Sequence, residues 1–445
     1  MTNGEEAITS PATDGGMEST VNPTTQAGPA SPAQPAQPAA PATPAADQTD
    51  TTAITPGVTT MHAWQIREKP GPIENDPLEW IEKPIPSPGP GQALIRVLAC
   101  GVCRTDLHVS EGDLPAHLPH VTPGHEVVGE VVALGADQGI DINGRHTQLH
   151  VGERVGVAWL RHTCGECEFC VAGKENLCRH SLYNGWDAHG GYAEYMVAPD
   201  DYVYSLEGLL GGESTDDGTV AGGTAYDKPS YTLETVAPLM CAGIIGYRAL
   251  KRTGLLDGVS FADIESGQAR ERIAEIVGHR PALGLYGFGG SAHITAQVAL
   301  ALGMRVHVLT RGRDAQRLAL NLGCASANDA YDQPDEPLDA AIIFAPVGAI
   351  VPPALEALRP GGVLSLAGIH MSDVPPLNYD QHLFHEKEIR SVESNTRQDG
   401  REFLAFAATH QIKIDAHPYP LDQAQQALKD LKAGAFTGAA VLLPM

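Results

Sequence analysis

The run Leu283-Gly284-Leu285-Tyr286-Gly287-Phe288-Gly289-Gly290-Ser291-Ala292 constrains the fold of this 445-residue chain more than any other stretch. Leu283 to Tyr286 reads as a strand, the glycines as a tight turn, and the apolar run from Ile294 to Leu302 as the helix that follows. In that context a G-x-G-x-x-G/A fingerprint holds a dinucleotide. Gly287 permits the turn, Gly289 lets backbone approach the pyrophosphate, and Ala292 keeps helix and strand close. Gly290 belongs to the same turn, and the free N–H groups and dipole of the helix that follows favour an anion. Further strands are expected at 305–309, 338–344 and 363–367. Strands alternating with helices build a doubly wound parallel sheet, so an α/β Rossmann domain is expected here.

The first half reads differently. Residues 1 to 60 are Pro, Ala, Thr and Ser with almost no large apolar side chains, and so bury too little to offset the entropy of ordering. They are expected to be disordered, with the folded part opening at Met61. From there short strands alternate with turns: 93–99 after the Pro-Gly cluster of 86–91, then 130–134 and 154–159. A small barrel-like domain is the expected result.

Two sets of metal-binding side chains stand out. Pro123-Gly124-His125-Glu126 places a histidine at a turn that enters the apolar alternation Val127, Val128, Val131, Val132. Upstream lies Cys100-Gly101-Val102-Cys103-Arg104-Thr105-Asp106-Leu107-His108, and downstream Pro238-Leu239-Met240-Cys241-Ala242-Gly243. Cys103, His125 and Cys241 suit a catalytic zinc that keeps one position open. Asp106 is placed to accept from the His125 imidazole, and Glu126 to stand behind the metal or to ligate it transiently. The second set is Cys164, Cys167, Cys170 and Cys178, a closed four-thiolate shell of the structural kind. Cys100 and Cys324 match no ligand position and read as small buried apolar residues.

The three catalytic-zinc segments, in this order, resemble the zinc-dependent medium-chain alcohol dehydrogenases over roughly residues 61 to 445. The Cys-x2-Cys-x2-Cys-x7-Cys spacing matches that family's structural zinc lobe. The resemblance implies a GroES-like β-barrel catalytic domain at 61–241, a Rossmann doubly wound parallel sheet at 242–384, and a return to the catalytic domain at 385–445. Relative to a lean member, 137–150, 208–230 and 258–280 read as insertions, the second a surface loop and the third a surface helix. It implies reversible hydride transfer between NAD(P) and an alcohol/aldehyde pair, with zinc as Lewis acid. The proton is expected to leave from Thr105 through the nicotinamide ribose to His108, a hydroxyl and then an imidazole. Arg104 and Arg397, the latter in Ser394-Asn395-Thr396-Arg397, take positions that touch the cofactor pyrophosphate in relatives. Trp159 falls at an aromatic pocket wall, whereas Leu114 replaces a bulky aromatic, which widens the pocket toward longer or aryl alcohols. Relatives are dimers or tetramers, so a homo-oligomer is expected.

Cofactor choice rests on the second Rossmann strand. NAD sites usually carry an acid there, about 20 residues after the first glycine, for the ribose 2′-OH. Here 305–309 runs into Thr310-Arg311-Gly312-Arg313, with no carboxylate before Asp314. A hydroxyl beside guanidinium groups suits a 2′-phosphate, so NADP is expected over NAD.

The 54 acidic against 29 basic residues give a formal charge of −25, which excludes binding to nucleic acid or an anionic membrane. No apolar run is long enough to span a bilayer, and a start carrying Glu5 and Glu6 is no secretory signal; a cytoplasmic enzyme is expected. Three other readings compete. A zinc-free quinone or enoyl reductase of the same fold would lack the cysteines. A non-catalytic zinc- and dinucleotide-binding protein would not need Thr105 and His108. A zinc-based nucleic-acid module conflicts with the charge.

Overall fold

The computed structural model describes residues 58–136, 149–210 and 231–444. The expected disordered tail lies outside these residues except for 58–60, as does most of the first two expected insertions. The first strand, β1 (Thr60–Ile66), pairs antiparallel with β2 (Leu78–Pro84). Next comes β3 (Gln92–Val102), the longest strand, followed by the helix α1 (Arg104–Glu111) and β4 (Val127–Leu134). Short strands β5 (Arg154–Val157), β6 (Leu160–His162), β7 (Leu182–Tyr183), β8 (Tyr195–Pro199) and β9 (Val203–Ser205) complete this part.

β3 is the spine, because it pairs with both β4 and β8 and its end is also taken by the last strand of the chain. Flanked in this way it is buried on both faces, which is why its sequence is nearly continuous in apolar residues. Gly101 on β3 is required by a close approach: a Cβ there would run into the Glu126 carboxylate.

The six-stranded sheet is all parallel. It comprises β10 (Ala282–Tyr286), β11 (Arg305–Leu309), β12 (Ser326–Asn328), β13 (Leu338–Ile343), β14 (Leu358–Leu366) and β15 (Glu388–Ser391). Their order is β12-β11-β10-β13-β14-β15, so the strand order reverses between β10 and β13. The crevice at the carboxyl ends of those two strands is where such sheets take ligands. β15 pairs with β14, so this sheet runs beyond residue 384, where the sequence reading returned the chain to the first domain. Its alternating charged residues Glu388 and Arg390 hid an edge strand, which is solvated and needs no apolar run.

The chain then rejoins the first sheet through β16 (Ala416–Pro420) and β17 (Ala439–Leu443), the latter antiparallel to β3. One core runs from Ala99, Val128 and Ala158 beside β3–β5 to Leu283, Leu285 and Ile294 around β10, so the two sheets share buried surface. The third expected insertion is not one surface helix. It forms two, Phe261–Glu265 capped by Ser260 and Ala269–Val277, because Gly267 turns with φ +73° between them. Ile264, Ala269 and Ile273 bury their side chains in the shared core. Among the described residues no single helix is long and apolar enough to cross a membrane.

Arg397 departs from the expected pyrophosphate contact. It opens the helix Arg397–Thr409, and all three of its guanidinium nitrogens donate to carboxylates. Nε and Nη2 reach Glu175 at 3.1 and 2.7 Å, Nη1 reaches Asp201 at 2.8 Å, and the guanidinium covers the Tyr202 ring at 4.4 Å. Burial pushes the Asp201 carboxyl up to about 6 even with Arg397 beside it. The arginine therefore clamps the returning helix to the cysteine lobe, a buried arrangement that cannot be told from a phosphate site by residue type alone. Arg397→Met leaves the buried Glu175 and the half-buried Asp201 without their counter-charge and should cost on the order of 3–5 kcal/mol in denaturant unfolding, with NADP affinity little changed.

Candidate active site

α1 begins at Cys103, whose backbone N–H is accepted by Asp106 three residues on, at 3.0 Å, in a capping box. Asp106 is 1 % exposed and its two oxygens meet four donors. Oδ2 takes Cys103 N and the Tyr192 hydroxyl at 3.2 Å; Oδ1 takes Gly124 N at 3.0 Å and His125 Nδ1 at 2.9 Å. An acceptor at Nδ1 fixes the tautomer, so Nε2 of His125 turns its lone pair elsewhere. Nε2 is fully buried with no hydrogen-bond partner.

What faces Nε2 is sulfur. The ligand atoms of Cys103, His125, Glu126 and Cys241 all lie within 4.8 Å of one another. Cys241 arrives from far down the chain, at the joint between the turn Ala237–Met240 and the helix Ala242–Arg252. The Cys103 thiol is pulled well below its ordinary range by hydrogen bonding with Cys241, against the effect of burial, while Cys241 is pushed well up by the same partner. Burial works to lower the His125 imidazole, but the charge and hydrogen bond of Asp106 outweigh it and hold it well above its ordinary range. Burial first, then the Cys103 charge, pushes the Glu126 carboxyl well up. A buried imidazole nitrogen with no partner beside two sulfurs is a donor set that fits a zinc ion.

The second cysteine cluster fits one as well. Sγ atoms of Cys164, Cys167, Cys170 and Cys178 lie within 4.8 Å of one another, with Cys167 to Cys170 at 3.5 Å and Cys178 to Cys164 at 3.6 Å. Backbone N–H groups of Cys164 and His180 donate to the Cys178 sulfur, both at 3.4 Å, an arrangement that would support a metal-bound thiolate.

At the Rossmann crevice the turn after β10 has Gly287 at φ +86°, tight against Ala345, and the helix Gly290–Ala301 starts at once. A Cβ on Gly289 would meet nothing within 4 Å, so open space for a phosphate lies above that backbone. Thr310 is buried at the end of β11, and Arg311 beside it is exposed with no carboxylate partner among the described residues.

The remaining expected residues sort by distance. Thr105 places Oγ1 3.9 Å from the Cys103 sulfur. His108, one turn along α1, points Nδ1 at Asp113 Oδ2 at 3.2 Å. Arg104 is exposed on the first turn of the same helix. Trp159 lies edge-on to His125, with ring centroids 4.8 Å apart. Behind it the aromatic wall continues through Trp186 at 5.9 Å to His117, stacked on Trp186 at 4.0 Å, with Leu114 on the neighbouring loop. Trp186, His117 and Tyr192 escaped the sequence reading. Gly190 and Gly191 were a usable signal for Tyr192, since both are forced small by the backbone of Gly124 or the side chains around it. No local pattern announces Trp186.

Residues 89–208 match the family described as Alcohol dehydrogenase GroES-like domain, and residues 290–409 match Zinc-binding dehydrogenase. The chain is 52 % identical over 391 residues to a probable alcohol dehydrogenase AdhA of Mycobacterium tuberculosis, covering 88 % of this chain and 99 % of that protein. It is 32 % identical to an alcohol dehydrogenase of Geobacillus stearothermophilus, covering 82 % and 96 %. Similar solved structures include a thermostable alcohol dehydrogenase from Pyrobaculum aerophilum, with a TM-score of 0.67 at 21 % identity over 86 % of this chain and 100 % of that one. A cinnamyl alcohol dehydrogenase from Sorghum bicolor has a TM-score of 0.65 at 24 % identity over 86 % and 97 %. The chain belongs to the medium-chain, zinc-type alcohol dehydrogenases. It is an oxidoreductase, an alcohol dehydrogenase of the zinc-binding kind.

Removing the carboxylate that orients the histidine should loosen the metal without emptying the fold. Asp106→Ala is expected to lower zinc affinity at the Cys103 site by about 10- to 100-fold, read by competition with a chromophoric chelator.

Proposed function

We propose an NADP-preferring dehydrogenase of primary alcohols bulkier than ethanol, with a catalytic and a structural zinc in each chain. The observation that carries this reading is the orphaned Nε2 of His125 facing the Cys103 and Cys241 sulfurs beneath an aromatic wall. When bound, zinc supplies a Lewis acid for the substrate oxygen, and the dinucleotide exchanges the electron pair with the carbinol carbon.

The chain does the rest. Cys103, His125 and Cys241 hold the metal, with Glu126 in reserve as a fourth donor, while Cys164, Cys167, Cys170 and Cys178 hold the second ion in a closed shell. Thr105 Oγ1, beside the Cys103 sulfur, accepts the substrate proton. With Nδ1 of His108 turned to Asp113, its Nε2 is the atom that receives the proton next. Gly287, Gly289 and Gly290 seat the pyrophosphate, joined by Arg104 from α1. Trp159 and Trp186 exclude water along one wall, and Leu114 leaves room for a longer chain or ring.

A homo-oligomer fits the same surface logic. β15 is an edge strand with Ile389 exposed, and Val374, Tyr379 and Phe384 are exposed nearby in sequence, an edge that a second copy can cover. Thiolate ligand sets at two sites favour a reducing compartment, hence the cytoplasm.

Metal analysis and kinetics together test the two-site reading. Native enzyme should hold two zinc ions per chain; Cys103→Ser should lose turnover and stay folded, whereas Cys167→Ser should lower the Tm. One zinc in fully active enzyme would refute it. Cofactor preference is a separate test. Arg311, free beside Thr310, should bind the 2′-phosphate, so Arg311→Ala should cut kcat/KM for NADP by about 10-fold or more, equivalent to losing a charge-assisted hydrogen bond of ~1.5–3 kcal/mol, and barely alter that for NAD. A native enzyme that prefers NAD would show Arg311 to be mere surface.

A further inference from the structure

His370 lies in the loop after β14, on the rim where the dinucleotide crevice opens, and no part of the mechanism above uses it. Its ring sits 5.2 Å, centroid to centroid, from that of His108 on α1, tilted by 56°. The two imidazoles come from distant parts of the chain, one from α1 and the other from the loop after β14. Three contacts fix the loop. Ala367 N donates to Ile343 O at 2.8 Å, Ser372 N to Pro346 O at 3.3 Å, and the Ser372 hydroxyl accepts from Gly348 N at 2.9 Å. Within this stitched loop His370 holds φ +57°, a left-handed conformation uncommon for a residue with a side chain and one that concentrates at functional sites.

We propose that His370 is the outer proton carrier of the enzyme, taking the proton from His108 and passing it to solvent. The proposal rests on the relay assigned above to Thr105 and His108. Oxidation of one alcohol by NADP+ yields the carbonyl, NADPH and one proton, and it is that proton which must leave the closed site. On His108 Nδ1 is held by Asp113, so the proton arrives and departs at Nε2. His108 is largely covered, with its side chain 20 % exposed, whereas His370 is exposed to water. A second imidazole at this separation takes the proton directly or through one water and discharges it to buffer, then returns neutral. In carbonyl reduction the same two rings deliver the proton inward. Asp113 pairs with His108; Arg104, Asp106 and Glu111 lie on the same helix, Lys432 is joined to Glu111, and Asp373 follows in the His370 loop.

The test follows proton release in a single turnover with a pH-indicator dye, on the metal-loaded enzyme in dilute buffer. His370→Ala and His370→Gln should slow release by roughly tenfold, less than the ~10²-fold expected of a group on the reacting atoms, because water still carries some of the flux. Added imidazole should restore the rate in His370→Ala, while KM for alcohol and for NADP stays unchanged. In 15N-histidine NMR spectra the His108 ring signals should move in His370→Ala. Release at the native rate, a loss that imidazole does not relieve, or unmoved His108 signals would overturn the proposal. His108→Ala separates this from the underlying reading: if it too releases protons normally, the relay itself fails. A slow His108→Ala beside a normal His370→Ala removes only the outer carrier.

Discussion

The catalytic centre depends on one carboxylate. Asp106 accepts from the amide that starts α1, from the loop that carries His125, from the His125 ring and from a tyrosine hydroxyl, all while buried. Four donors on two oxygens hold an anion without solvent, and in return the anion locks three separate segments of chain to one point. Cys103 and His125 are thereby set relative to each other before any metal arrives. This is preorganisation at the level of backbone. The ring cannot rotate without breaking a charge-assisted bond, and the loop cannot shift without losing Gly124 N.

The third candidate ligand comes from elsewhere and is set by packing. Cys241 stands at the start of the helix Ala242–Arg252, whose Gly243 lies against Phe403 and whose Gly246 lies against Thr295. Those two contacts place the helix between the returning segment and the first Rossmann helix, with no room for a Cβ at either point. Arg248 and Lys251 on the same helix then reach Asp399 at 2.7 and 3.1 Å. The candidate metal centre is therefore built on an element that also carries the joint between the two sheets. Geometry at Cys241 and the placement of the dinucleotide crevice are properties of one packed helix.

Much of this was legible in the chain, for reasons that differ by residue. Cys164 to Cys178 and the Gly287 turn are local: spacing alone brings their side chains or backbone together, so sequence suffices. The pairing of Asp106 with His125 was readable because both sit in short segments of recognisable chemistry. Arg397 was misjudged because a guanidinium suits a phosphate and two carboxylates equally, and Glu175 is 222 residues away. β15 was missed since an edge strand need not be apolar. Trp186 and His370 lie at contacts made only by the folded chain, where no periodicity or motif points to the partner.

Charge accounting explains why the centre suits a reversible reaction. With zinc held by Cys103, His125 and Cys241 as proposed, two thiolates would cancel its double positive charge and a neutral imidazole would add none, so the fourth position would meet a nearly neutral site. A third anion there would compete with an alcohol oxygen. Glu126 is the one candidate among the described residues; before a metal binds, burial first and the Cys103 charge next favour its neutral form, while a backbone hydrogen bond from Ala242 favours the anion. Gly101 leaves the space in which this carboxyl lies beside β3. The same glycine that makes the close approach sterically feasible thus keeps a carboxyl group within reach of the candidate metal position.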